Sequence, residues 1–328
     1  MAKERFDFID IAKCIGIVLV VCSHSMYSDM MYAFNGCFVP LFFVASGYVS
    51  PRKVDMAIKA KRLLKPYFIF SLAIVALVLL SGLRDITINN ISGIFYSRYS
   101  IFREGVDGNV VLMNIGNAPL WFLTSMFLAF VAFRALVGVE RKSSRIVMIA
   151  VYLLVTYLFS RQPILLPWSL DTAFLMAIFI YAGYLLRHEL GGVLKSWWSV
   201  LLLGGVYIVC MLINGYTNLS VGNMGKSIIL ALVCGIAGSV VLIKCSMLLE
   251  HVGALKKAFV EIGKHSLTIF CIHMPLLSVL GLIYARVLGN ALTIPELICG
   301  ALLQIAISIV AGYIISKVLY RFAPWVLK

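Results

Sequence analysis

The chain has 328 residues, 62% of them apolar and only 13% charged, with a mean hydropathy of +1.00. That balance excludes an ordinary soluble domain, and apolar runs that recur along the whole length exclude a secretory signal followed by a soluble mature chain. The net charge of +14 would point to nucleic acid in a soluble protein; in a membrane protein it asks on which side of the bilayer the charges lie.

Ten apolar segments read as membrane spans: Ile9–Met26, Phe34–Ser50, Leu64–Gly82, Leu120–Val139, Ile146–Ser160, Thr172–Leu186, Trp197–Ile213, Ser227–Ile243, Leu267–Tyr284 and Leu297–Ser316. Several fall short of the ~20 residues of an upright helix. The pattern is that of an all-α polytopic membrane protein, a single integral-membrane domain over residues 1–328. Placing the N-terminus inside puts 21 of the 28 Lys and Arg residues in inner segments, and only Arg84, Arg98, Arg103, Arg161, Lys226 and Arg286 in outer ones. The remaining one, Lys13, falls within the first span. This asymmetry predicts that both termini are cytoplasmic. The eight cysteines lie within or beside apolar segments, with no CxxC pair and no histidine spacing suited to zinc, so they read as small packing residues and no metal is expected. The longest candidate loop is the outer one, Leu83–Asn117, and no repeat or low-complexity tract divides the chain.

The first span carries "KCIGIVLVVCSHS", which sets Lys13 and His24 in an apolar run. Ionisable groups in hydrocarbon are costly unless they face a partner or a polar cavity. Eleven residues at about 100° each leave the two roughly 20° apart around the axis, on one stripe that Asp10 shares. Asp10 and Lys13, spaced i, i+3, can neutralise each other; they can equally anchor the helix end while Lys13 snorkels. His24 stands about 22 Å along the helix, toward the outer half of the membrane, where an imidazole either is held structurally or lines a cavity and moves protons near neutral pH.

The second span, "FVPLFFVASGYVS", has a small Ser46-Gly47 pair that admits a close backbone or a ligand. In the following "PRKVDMAIKAKRLLKPYF", Arg62 and Lys65 are spaced i, i+3 and either serve the positive-inside bias or grip a phosphate from the cytoplasm. Trp121, in "GNAPLWFLTSMF", sits at the depth of an interfacial aromatic. The ninth span, "IGKHSLTIFCIHMPLL", holds His273 well inside an apolar helix next to Pro275, a local break that can line a cavity. His188, His251 and His265 are expected in solvent, and Asp171 or Glu296 could orient His24.

These residues resemble the acyltransferase family 3 integral membrane proteins, which include sugar and polysaccharide O-acetyltransferases. The matching elements, in order, are "RFDFIDIAKCIGIVLVVCSH", "PLFFVASGY", "RLLKPYF", "LWFL" and "SLTIFCIHMPL". The resemblance implies that His24 is catalytic. The basic residue that ten residues separate from it in the family is often arginine and is Lys13 here; an arginine pair of the third element is Arg62 and Lys65, which loses the bidentate grip at the second position. Some members carry a fused extracytoplasmic hydrolase-like domain; none is expected after Lys328.

The resemblance implies a membrane O-acyltransferase of the bacterial inner membrane, with acetyl-CoA as donor and a carbohydrate or glycolipid hydroxyl as acceptor, embedded among membrane lipids and without a nucleic-acid partner. His24 would be general base or covalent acyl carrier, Asp10, Lys13, Ser46 and His273 would support it, and Arg62, Lys65 and Trp121 would bind the donor. Lys13, His24, Ser46 and His273 are expected to border one polar passage from the cytoplasmic side. The competing reading is a proton-coupled transporter or flippase, since intramembrane Lys, Asp and His also suit such pathways.

Overall fold

The computed structural model describes residues 5–28, 31, 34–82, 85–103, 106, 110–112, 118–288 and 293–327. Lys3, Arg84 and Lys328 of the charge map, and both ends of the Leu83–Asn117 loop, lie outside the described residues. Among the described residues the elements are helices joined by loops: α1 (Asp7–Ser23), α2 (Phe38–Tyr48), α3 (Met56–Ser81), α4 (Ile88–Tyr96), α5 (Trp121–Gly138), α6 (Lys142–Ser160), α7 (Leu170–His188), α8 (Gly191–Lys195), α9 (Trp197–Asn214), α10 (Ile228–Leu249), α11 (Gly253–Lys264), α12 (Ser266–Leu288) and α13 (Ile294–Phe322).

Among the described residues eight helices are long and apolar enough to cross a membrane, namely α3, α5, α6, α7, α9, α10, α12 and α13, and each coincides with a predicted span. The other two predicted spans are helical but shorter. The 17 residues of α1 rise about 25 Å and the 11 of α2 only about 16 Å, half of a ~30 Å hydrocarbon core. The second helix is short chiefly at its start, where Gly36, with φ +86°, keeps the backbone non-helical until Phe38; it ends at Tyr48, ahead of Pro51.

Burial sorts the helices into a centre and a shell. The membrane windows of α5 and α7 are each 72% buried, whereas those of α6 and α9 are 11% and 17% buried and turn their apolar side chains outward. The short α2 lies in the centre against α7. A side chain at Gly47 would run into the Ile180 carbonyl, and one at Gly183 into the Val44 carbonyl, so the two backbones touch through glycine on both sides. The Ser46-Gly47 pair therefore serves as a helix-packing notch through its glycine.

Three helices lie outside the predicted elements: α4 in the long loop, the short α8, and the amphipathic α11. The last packs across the start of α1, with Gly263 directly under the Asp10 carbonyl. Glu261 of α11 accepts from Lys317 Nζ of α13 at 2.8 Å, and this hydrogen bond holds the carboxyl pKa down at about 2. That contribution is present above the ordinary carboxylate range and fades as pH falls toward 2. His265, expected in solvent, is instead buried at the α11–α12 junction; its Nδ1 lies 2.7 Å from Ser316 Oγ and its ring packs against Tyr313 and Tyr320.

Candidate active site

The first helix ends where its polar residues begin. The hydroxyls of Ser23 and Ser25 donate back to the carbonyls of Val20 and Cys22, both at 2.8 Å, and take up acceptors the last turn leaves free. His24 occupies the C-cap with φ −112° and ψ 0°, so its imidazole projects from the helix end. It lines a cavity of about 310 Å³ together with Ser28, Met31, Asn35 and Gly36, the start of α2, Tyr99, the start of α5, the 216–220 loop, and Phe270 and Met274 of α12. His24 is exposed, and the surface it exposes is the wall of this cavity. Among the described residues its ring nitrogens have no hydrogen-bond partner.

His273 stands behind it. The two imidazoles lie 5.4 Å apart between ring centroids, tilted by 37°. His273 is fully buried; its Nδ1 is 2.7 Å from the Phe270 carbonyl, which can only accept, so Nδ1 carries a proton and donates. In the neutral ring this leaves Nε2 as an acceptor, and among the described residues it has no partner. A buried, unpartnered acceptor beside His24 can receive a ring N–H of that imidazole and so choose its tautomer.

The cavity closes on aromatic rings. Phe42 and Phe122 lie 5.7 Å apart, Phe122 and Phe270 5.1 Å, and Phe270 reaches His273 at 5.7 Å. Phe42 fills the space over Gly16, where an added Cβ would fall 2.8 Å from its ring. The expected polar passage from Lys13 to His24 is therefore interrupted: Phe42, seated over Gly16 with buried Ile17 beside it, fills the stretch of α1 between them. None of Lys13, Ser46 and His273 lines the cavity.

The other candidates divide between the two ends of the bundle. Phe6, before α1, packs against Tyr48 at the end of α2, so α1 and α2 run antiparallel. Asp10 is buried and accepts from Arg5 at 2.7 and 2.9 Å and from Lys13 at 3.2 Å, a three-membered ion cluster at the end of α1 remote from His24. Arg62 and Lys65 lie in the first half of α3, outside the cavity, and the Lys65 ammonium is 5.9 Å from the Trp325 ring. The Ser46 hydroxyl faces the Met126 sulfur at 3.8 Å, away from His24. Trp121 is the exception among the residues assigned to the donor: it begins α5 and stands in the cavity wall with His24.

Neither acid considered as a partner for His24 meets it. Glu296 caps its own helix through Thr293. Asp171 is bound by Arg98, which the charge pattern marks only as an outer cation. Arg98 is fully buried; it donates to the carbonyls of Leu166, at 3.0 Å, and of Ser220, and pairs with the Asp171 carboxylate. Around this knot stand Ser97, Trp168 and Ser169, with φ of +57°, +57° and +60°, a backbone region costly for residues with a side chain. Arg103 ties the same loops at its own level, donating to the carbonyls of Gln162, Val221, Gly222 and Phe159 at 2.8–3.0 Å. Tyr99, Leu219 and Ser220 of the cavity wall hang from these two arginines. The Leu83–Asn117 loop also holds Arg84 and Arg103, so nothing in the sequence singles Arg98 out for this role.

No curated protein and no solved structure shows significant similarity to the chain. The model of the acyltransferase domain, family 3, matches residues 6–313. That match spans nearly the whole of a bundle with eight helices, among the described residues, long and apolar enough to cross a membrane, and the chain therefore belongs to the acyltransferase 3 family.

Proposed function

We propose that the protein moves an acetyl group from acetyl-CoA to a hydroxyl of a carbohydrate or glycolipid at His24, in a bacterial inner membrane with both termini cytoplasmic and all ten predicted segments within the bundle. The observation that carries this reading is the position of His24, at the wall of a cavity and backed by the free Nε2 of His273. The charge asymmetry supports the orientation, and the cavity then opens toward the outer face, because the loops after α1, before α5 and after α9 all form its walls.

In the reaction, His24 accepts the proton of the acceptor hydroxyl as the oxygen attacks the thioester carbonyl. The C–O bond forms, the C–S bond breaks, and the proton passes on to the leaving thiolate. His273 Nε2 holds the second ring N–H of His24, so that the other nitrogen meets the substrate. The imidazolium that forms sits at the C-terminal end of α1, where the helix dipole favours a positive charge by about 0.3–1 kcal/mol. Acetyl-CoA docks at the opposite end, where Arg62 and Lys65 meet its phosphates, and its thioester reaches His24 as the Phe42–Phe122–Phe270 layer parts. Trp121 then packs beside the reacting groups. Asp10 pairs with Lys13 at the cytoplasmic end, and Ser46 supports α2 between the two substrates.

The test uses the purified full chain in proteoliposomes. Thiol release from acetyl-CoA should depend on an added glycan acceptor. Replacing both Arg62 and Lys65 with Gln should weaken donor binding by about 1.5–3 kcal/mol for each charge-assisted phosphate bond removed. Unchanged donor affinity would leave these cations to membrane orientation alone.

A further inference from the structure

Resting on that reading, we infer that the His24 cavity takes a single uncharged sugar ring and selects against acidic ones. Among the described residues that line it there is no Lys, Arg, Asp or Glu. Its polar groups are amides and hydroxyls, already set in place by one another: Thr217 Oγ1 donates to Asn35 Oδ1 at 3.1 Å, Ser220 Oγ to Asn218 Oδ1 at 2.6 Å, and Asn218 Nδ2 to the Tyr216 hydroxyl at 3.3 Å. Such groups read neutral hydroxyls. Trp121 adds an apolar indole to the wall, against which a sugar can pack.

The decisive feature is what the neighbouring arginines do. Arg98 and Arg103 adjoin the wall, and either would answer a carboxylate if it turned toward the cavity. Each nitrogen of both guanidinium groups is instead engaged, by the Leu166 and Ser220 carbonyls and the Asp171 carboxylate for Arg98, and by four backbone carbonyls for Arg103. An anionic ring entering the cavity would lose water and find no permanent cation among the described lining residues, only the neutral His24 imidazole, which penalises it relative to its neutral twin. The volume, about 310 Å³, is at the lower limit for ligand sites and suits one ring rather than a longer glycan segment.

The experiment compares methyl hexopyranosides with their C6-oxidised uronic acid twins, in gluco, galacto and manno series, as ligands of the full chain in detergent without donor. Binding is read by quenching of tryptophan fluorescence that disappears in Trp121→Phe, and transfer is then read with acetyl-CoA. At least one neutral glycoside should bind tenfold or more tighter than its acid, and Tyr99→Lys, which puts a cation in the wall at a half-exposed position, should narrow or reverse that ratio. Equal or tighter binding of the acid by the wild-type protein overturns the inference, as does the absence of binding by every glycoside. Selective neutral binding with no acetyl transfer to any bound sugar would sustain the inference and defeat the acyl-transfer reading, on which the sugar's role as acceptor depends.

Discussion

Replacing Arg98 with Ala should lower the stability of the folded protein by about 3–5 kcal/mol, the usual cost of removing one partner from a buried ion pair. The alanine leaves the Asp171 carboxylate without its cation, and one of its oxygens already lacks a partner among the described residues. It also frees the Leu166 and Ser220 carbonyls. The three left-handed residues beside the knot would then lack the bonds that hold them in a costly conformation. The double change Arg98→Met with Asp171→Leu should be much milder, because both charges go together. Thermal unfolding in detergent measures the difference, and equal stability of Arg98→Ala and wild type would show that the pair carries nothing.

The second large effect is chemical. His24→Ala should reduce acyl transfer by at least about 10²-fold, within the range that general acid–base groups supply, while the bundle stays folded. The side chain fills no packed core: it faces the cavity, and among the described residues its ring holds no hydrogen bond. Detergent stability should therefore stay near wild type as turnover falls. His273→Ala is expected to act through His24, lowering turnover and shifting its pH profile, and His273→Gln, whose side-chain oxygen can accept in place of Nε2, should recover part of it.

Hydropathy is sufficient to find the eight long helices because each is apolar over most of its length, and that property is local. It is insufficient for α2, whose central place depends on Gly47 meeting Ile180 and Gly183 meeting Val44 far along the chain. The helical stripe of Lys13 and His24 is legible from the 3.6-residue period. What fills the space between them is not, because Phe42 comes from another helix. His24 and His273 each declare themselves as costly residues in apolar segments, yet only the tertiary fold brings their rings to 5.4 Å. Arg98 and Asp171, 73 residues apart, cannot be paired by spacing at all. The amphipathic α11 is hidden by its lysines, which read equally well as an inner loop.

The most direct measurement places the two substrates on opposite sides of a membrane. In proteoliposomes of uniform orientation, acetyl-CoA is supplied only on the face of Arg62 and Lys65, and a neutral glycoside only on the face toward which the His24 cavity opens. Acetylated glycoside should accumulate on the cavity side and free CoA on the other, with no product when the substrates are exchanged and none from His24→Ala in either arrangement. Product that forms only when donor and acceptor share one face would contradict transfer through His24 across the bundle.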